Sequence, residues 1–129
     1  MKKILLLILF LASTVFADIK WHGYDEGIAL GKKDTTKIVM VMLEHKGCSS
    51  CAYMEGVVFP DKNVQKVINK DFIAVDIDTE NDFIPDGMSY IGTPTFYFIT
   101  ADEKVLFKLQ GAYHIKDFLG ILEKVKAKR

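Results

Sequence analysis

A three-layer α/β/α sandwich around a central mixed sheet of four to five strands is the fold this sequence predicts. Three observations predict it. Residues 38–43, Ile-Val-Met-Val-Met-Leu, form an unbroken apolar run. A strand with no polar alternation has both faces covered, as the central strands of parallel sheets do. Residues 72–78, Phe-Ile-Ala-Val-Asp-Ile-Asp, form a second, mostly apolar run after an intervening helical pattern, which makes a βαβ unit. Residues 95–100 and 105–110 then read as two strands joined by the turn 101–104, a hairpin on the same sheet.

In chain order, the first seventeen residues stand apart. Met1-Lys2-Lys3 is a short basic start, residues 4–12 are almost wholly aliphatic, and Val15-Phe16-Ala17 ends in small residues at the positions a signal peptidase reads. This is the build of a secretory signal peptide. The apolar run falls short of the roughly 20 residues that span a bilayer. An uncleaved N-terminal anchor is the competing reading. The expected division is therefore a signal peptide at 1–17 and one domain at 18–129. Those 112 residues carry 15 basic and 17 acidic side chains, a net charge of −2. A chain this balanced offers no electrostatic footprint for nucleic acid or an anionic membrane. Export also places the cysteines in an oxidising compartment, where disulfides persist.

Residues 25–33 fit a short helix, with Asp25 and Glu26 in its first turn and Lys32 and Lys33 at its end. Trp21 is assigned to packing. After the strand at 38–43, residues 48–59 read as helix, stopped near Pro60. Asp61 can cap a helix over 62–69, whose Val64, Val67 and Ile68 share one face. Residues 79–90 are polar and irregular, with Pro85 and Gly87 and room for a short helix. In the last strand Val105, Phe107 and Leu109 alternate with Leu106, Lys108 and Gln110, which suits a half-exposed antiparallel strand. Ile115, Phe118, Leu119, Leu122 and Val125 mark the buried face of a C-terminal helix.

Cys48 and Cys51 are the two cysteines of the chain, and they sit at the corner where the first apolar strand passes into a helix. Residues three apart on a helix share a face, close enough for a disulfide that can also be reduced. Free N–H groups and the positive end of the helix dipole favour a thiolate at the first of the pair. This marks a candidate redox site, with a stabilising structural disulfide as the alternative.

The resemblance that follows covers essentially all of residues 18–129. Cys48-Ser49-Ser50-Cys51 follows the first buried strand, Val75-Asp76-Ile77-Asp78 ends the next, Gly92-Thr93-Pro94-Thr95 opens the third, and Gly111-Ala112 leads into the last helix. In this order the chain resembles the thioredoxin-fold family, and among its members an exported, periplasmic thiol:disulfide interchange protein. The resemblance implies that Cys48 is the nucleophile and Cys51 the resolving cysteine. It implies that the Thr93–Pro94 bond is cis and that Thr93 and Pro94 bind substrate beside the cysteines. A trans proline at the first residue of a strand is the alternative.

The pair closes so short a loop that it restricts the unfolded chain little, which weakens the structural reading. Zinc needs about four ligands, and two cysteines with three histidines supply them poorly. Cu(I) takes two or three soft ligands, and His45 and Met54 lie near the pair in sequence. The copper-delivery relatives, however, usually separate their cysteines by three residues. No metal and no cofactor beyond the redox disulfide is expected.

Around the cysteines the chain departs from thioredoxins. Met42 stands where they carry a buried acid, Gly47 where they carry a tryptophan, and Glu44 where they carry another. Glu44 is a candidate proton acceptor for Cys51, or a solvated residue at a strand end. His45 and Lys46 are candidates to lower the Cys48 pKa by positive charge. His22 and His114 read as surface residues.

A small single domain without an inserted helical domain resembles the periplasmic reductases more than the dedicated oxidases. The resemblance thus implies a periplasmic protein-disulfide reductase, acting as a monomer on oxidised proteins, apocytochromes c among them. Its electrons would come from a membrane thiol-electron transporter. Copper delivery and a redox-inactive peptide-binding role are the alternatives.

Overall fold

A strand whose every side chain is apolar needs cover on both faces, and in the computed structural model, which describes residues 18–129, the run at 38–43 has it. Ile38 through Leu43 are each no more than 1% exposed. The expected signal peptide lies outside the described residues.

In chain order the elements are β1 (Trp21–His22), α1 (Tyr24–Lys33), β2 (Ile38–Glu44), α2 (Ser49–Tyr53) running on into a π-helical segment (Met54–Val58), α3 (Lys62–Asp71), β3 (Phe72–Asp78), β4 (Thr95–Ile99), β5 (Val105–Gln110) and α4 (Ile115–Lys126). The sheet order is β1-β3-β2-β4-β5. β1 and β2 both run parallel to β3, whereas β4 is antiparallel to β2 and β5 to β4. This is the mixed five-stranded sheet of the expected sandwich.

Alternation along β2 sorts the core into two layers. Ile38, Met40 and Met42 join Phe72, Ala74, Phe96, Phe98 and Leu109 on one face, where they meet Cys51, Met54, Val58, Phe59, Ile68, Phe118 and Leu122. Val39, Val41 and Leu43 join Ile73, Val75, Ile77, Tyr97 and Ile99 on the other, under Tyr24, Ile28 and Leu30 of α1 and Met88 of the long loop. α1 lies close on the sheet because Gly27 faces it, where a Cβ would collide with Val75 Cγ2. On the first face Phe59, Phe96 and Phe118 form a ring cluster with centroids 5.6–6.4 Å apart. Offset and edge contacts of this kind stabilise beyond their buried area.

Four local features differ from expectation. Residues 21–22 form a strand, because the edge of β3 at Ala74 and Val75 takes a partner there. His22 is not a surface residue: its side chain is 10% exposed, with Nδ1 2.9 Å from Glu26 Oε1. The helix after the cysteines changes to π geometry, its Phe59 N–H donating to the Met54 carbonyl at 2.8 Å. The wider turn puts Met54, Val58 and Phe59 into the core together. Residues 79–91 contain no helix. There the Asp78 side chain accepts from Glu80 N–H and the Asn81 amide, and Asp82 accepts from Asp78 N–H. Such local bonds offer the backbone an alternative to helix. α3 begins as expected, with the Asp61 carboxylate accepting from Asn63 and Val64 N–H at 2.9 and 3.0 Å.

Candidate redox site

The site begins where β2 ends. A tight turn closes with Cys48 N–H on the His45 carbonyl, 3.3 Å. Gly47 takes φ +87° in it, a left-handed value that a side chain disfavours. A tryptophan at this position would strain the turn, which accounts for the glycine.

Cys48 is the N-cap of α2, with extended backbone (φ −78°, ψ 111°). Its Sγ accepts from Cys51 N–H at 3.1 Å, in the role a serine or aspartate oxygen takes at other helix starts. The Thr93 hydroxyl donates to the same sulfur at 3.2 Å. The Thr93 carbonyl lies 3.5 Å from it on the acceptor side, placed to receive a thiol proton when the pair is reduced. Cys48 and Cys51 are joined as a disulfide, with Cα atoms 5.2 Å apart. Cys51 is only 2% exposed, while Cys48 is partly exposed. An incoming sulfur can therefore reach Cys48 and not Cys51. Two donors aimed at one sulfur stabilise negative charge on it.

Thr93 and Pro94 stand beside the cysteines in space though 45 residues separate Thr93 from Cys48. The Thr93–Pro94 peptide bond is cis. Thr95 Oγ1 donates to the Gly92 carbonyl at 2.7 Å, and Gly111 N–H donates to the Pro94 carbonyl at 2.8 Å. The loop before β4 is thus held on both sides of the proline.

Glu44, the last residue of β2, alternates with Met40 and Met42 and so belongs to the face that carries Cys51. Its carboxyl pKa is raised, first by burial, then by the charges of Asp76, Asp78 and Glu55, against a smaller opposing effect of His45. Asp76 is raised as well, by desolvation and by Asp82 and Asp78. Asp78 is lowered, because the Asn81 amide and Glu80 N–H donate to its carboxylate. Asp76 is the register partner of Met42 across the β2–β3 ladder. Asp76 itself is exposed, and only strand pairing reveals that it lies opposite Met42.

The side chains of His45 and Lys46 make no contact with the cysteines among those the structure shows. His45 Nδ1–H donates to the Lys46 carbonyl at 2.9 Å and lies 3.9 Å from Glu80 Oε1. Lys46 is exposed. Sequence reasoning missed Tyr53, two residues past Cys51, whose hydroxyl lies 2.9 Å from His114 Nδ1 with the rings edge to face. His114 is exposed as expected, and it is the N-cap residue of α4. This contact ties the cysteine helix to α4. Its only sequence signal is a histidine ahead of the last helix.

Among the described residues, no group of three or more His, Cys, Asp or Glu side chains is placed to hold a metal ion. Among them too, no helix is long and apolar enough to cross a membrane.

Comparison with known proteins agrees with this geometry. A thioredoxin from Thermus thermophilus superposes with a TM-score of 0.73 at 25% identity, over 87% of this chain and 90% of that one. DsbH oxidoreductase gives 0.71 at 17% identity over 88% of each chain. The C-terminal domain of Neisseria meningitidis DsbD, in its oxidised form, gives 0.62 at 17% identity over 81% of this chain and 91% of that one. No curated protein matches by sequence. The family model for a thioredoxin-like domain matches residues 25–126. With that match, the five-stranded sheet and a Cys-x-x-Cys pair at the head of α2, the chain belongs to the thioredoxin-like domain family, with the fold of a thiol–disulfide oxidoreductase.

Proposed function

We propose that this chain is an exported thiol–disulfide oxidoreductase that reduces protein disulfides in the periplasm, with residues 1–17 as its signal peptide and 18–129 as the working domain. The observation that carries the reading is the Cys48 sulfur: partly exposed, bonded to a buried Cys51, and receiving hydrogen bonds from Cys51 N–H and the Thr93 hydroxyl.

In the reduced protein the Cys48 thiolate attacks one sulfur of a partner disulfide. A Cys48–partner bond forms, the partner's S–S bond breaks, and the second partner sulfur leaves as a thiolate that takes up a proton. Cys51 then loses its proton and attacks Cys48. The Cys48–Cys51 disulfide forms, the first partner sulfur leaves as a thiol, and two electrons have passed to the partner. Glu44 is the proton acceptor for Cys51, since its raised pKa and its place on the Cys51 face suit it to that role. Thr93 and Pro94 carry the partner chain past the sulfur. A membrane thiol-electron transporter returns the protein to its dithiol form. The domain works as a monomer and needs no cofactor beyond its own disulfide.

Copper delivery has less support. His45, which a copper site would recruit, directs Nδ1 at the Lys46 carbonyl, and Met54 is 0% exposed. A redox-inactive binding domain would leave the two donors on Cys48 without a purpose. The test is turnover of a protein disulfide such as insulin, with dithiothreitol as the electron source. Catalysis that is lost in Cys48→Ser is expected. A wild-type rate equal to that of dithiothreitol alone contradicts the proposal.

A further inference from the structure

Ile91 is 90% exposed, although it lies two residues before Thr93, whose oxygens contact Cys48 Sγ at 3.2 and 3.5 Å. A large aliphatic side chain left in water, on the loop whose Thr93 reaches the Cys48 sulfur, gains nothing for the folded monomer. Nor is its position loose. Tyr97, 3% exposed, donates its hydroxyl to the Ser89 carbonyl at 2.5 Å. Thr95, 0% exposed, donates to the Gly92 carbonyl at 2.7 Å. Two buried β4 hydroxyls thus pin the backbone on either side of Ile91 and hold it outward. Gly92, between Ile91 and Thr93, has open space where a side chain would stand.

We propose that Ile91 is a specificity-determining residue, presented on this pinned loop to a partner polypeptide, and that it selects partners with an apolar side chain next to the cystine they bring to Cys48. The inference rests on the oxidoreductase reading above. Its occupant follows from continuity with the sulfur. With Cys51 buried, the partner's cystine must approach Cys48. Thr93 adjoins that sulfur, so the chain carrying the cystine crosses Thr93 and meets Ile91. An apolar neighbour of the cystine buries against Ile91 in the encounter and in the mixed disulfide. A polar neighbour gains nothing there. Apolar selection of this type is worth roughly tenfold per well-buried contact.

The experiment uses the full chain with dithiothreitol as electron donor and three substrates: oxidised glutathione and two cystine-bridged peptides that differ only in Leu or Ser beside the cysteine. Wild type is expected to prefer the Leu peptide by about tenfold in kcat/KM. Ile91→Ser should bring that preference to within about twofold of unity, whereas Phe83→Ser, which removes another exposed side chain of the same loop (80% exposed), should keep it. Ile91→Glu should gain a preference for a third peptide with Lys at the same place, a gain that misfolding cannot produce. A wild type that reduces glutathione and both peptides without preference overturns the role of Ile91 alone. So does an Ile91→Ser variant that keeps the wild-type preference. A wild type that reduces none of the three overturns the oxidoreductase reading and this one with it.

Discussion

The two ends of the turn between β2 and α2 treat negative charge in opposite ways. At its far end, Cys48 Sγ receives two hydrogen bonds and heads a helix, so a negative charge there is favoured. At its near end, Glu44 is partly buried among Asp76, Asp78 and Glu55, so a negative charge there is disfavoured. Three residues of chain, His45 to Gly47, thus separate a sulfur whose surroundings favour negative charge from a carboxylate whose surroundings disfavour it. The difference fits the roles that the proposed function gives them. The attacking group is the one whose proton leaves easily, and the group that later accepts the Cys51 proton is the one whose surroundings welcome it.

The largest expected effect comes from removing the sulfurs themselves. Cys48→Ser should abolish protein-disulfide turnover. Cys51→Ser should stop it one step later, with the partner trapped on Cys48 as a covalent species that a non-reducing gel resolves. A Cys51→Ser variant that turns over normally would remove the resolving role.

Next comes the carboxylate. Glu44→Gln should slow resolution of the mixed disulfide by about ten- to a hundredfold at neutral pH, followed by quenched-flow trapping. The wild-type rate should fall as pH drops through the raised Glu44 pKa, because only the ionised form accepts a proton, and that acid limb should vanish in the variant. The sign for stability is the reverse. A folded-state pKa above the unfolded one means that ionised Glu44 destabilises the native state at neutral pH and that the cost fades on acidification. Glu44→Gln should therefore melt no lower than wild type at pH 7.

The other end of the comparison is sharpened by Thr93→Val, which keeps the shape and removes one donor to Cys48. A hydrogen bond to a charged group is worth roughly 1.5–3 kcal/mol, so the Cys48 thiol pKa should rise by about one to two units. Thiolate absorbance near 240 nm during titration of the reduced protein measures it. An unchanged pKa would assign Thr93 to shape alone. The smallest effect is expected of His45→Ala, within about twofold in turnover, because the imidazole faces the Lys46 carbonyl and Glu80 rather than the sulfur.

How far the sequence showed this depends on the range of each interaction. β2 and β3 were legible because burial on both faces makes their sequences almost wholly apolar, with Asp76 the one polar interruption before the ends at Glu44 and Asp78, and their bounds follow the apolar runs closely. The cysteine corner was legible because spacing and a strand-to-helix change are local signals. β1 was not. Two residues carry no period, and Trp21–His22 is a strand only because β3 offers an edge. The π-helical turn was hidden too, since it is set by the need to bury Met54, Val58 and Phe59 at once. The Thr93 hydroxyl on Cys48, Asp76 opposite Met42 and the Tyr53–His114 contact all join residues distant in sequence. Each needs the sheet order before it can be seen.

The central claim is that the Cys48–Cys51 pair delivers electrons to protein disulfides, and its equilibrium potential tests that most directly. Equilibrated against a glutathione or dithiothreitol buffer, the pair should show a potential near about −270 mV, that of a reducing dithiol. A value near about −120 mV, where the dithiol form is so stable that the disulfide acts as a strong oxidant, would contradict the account.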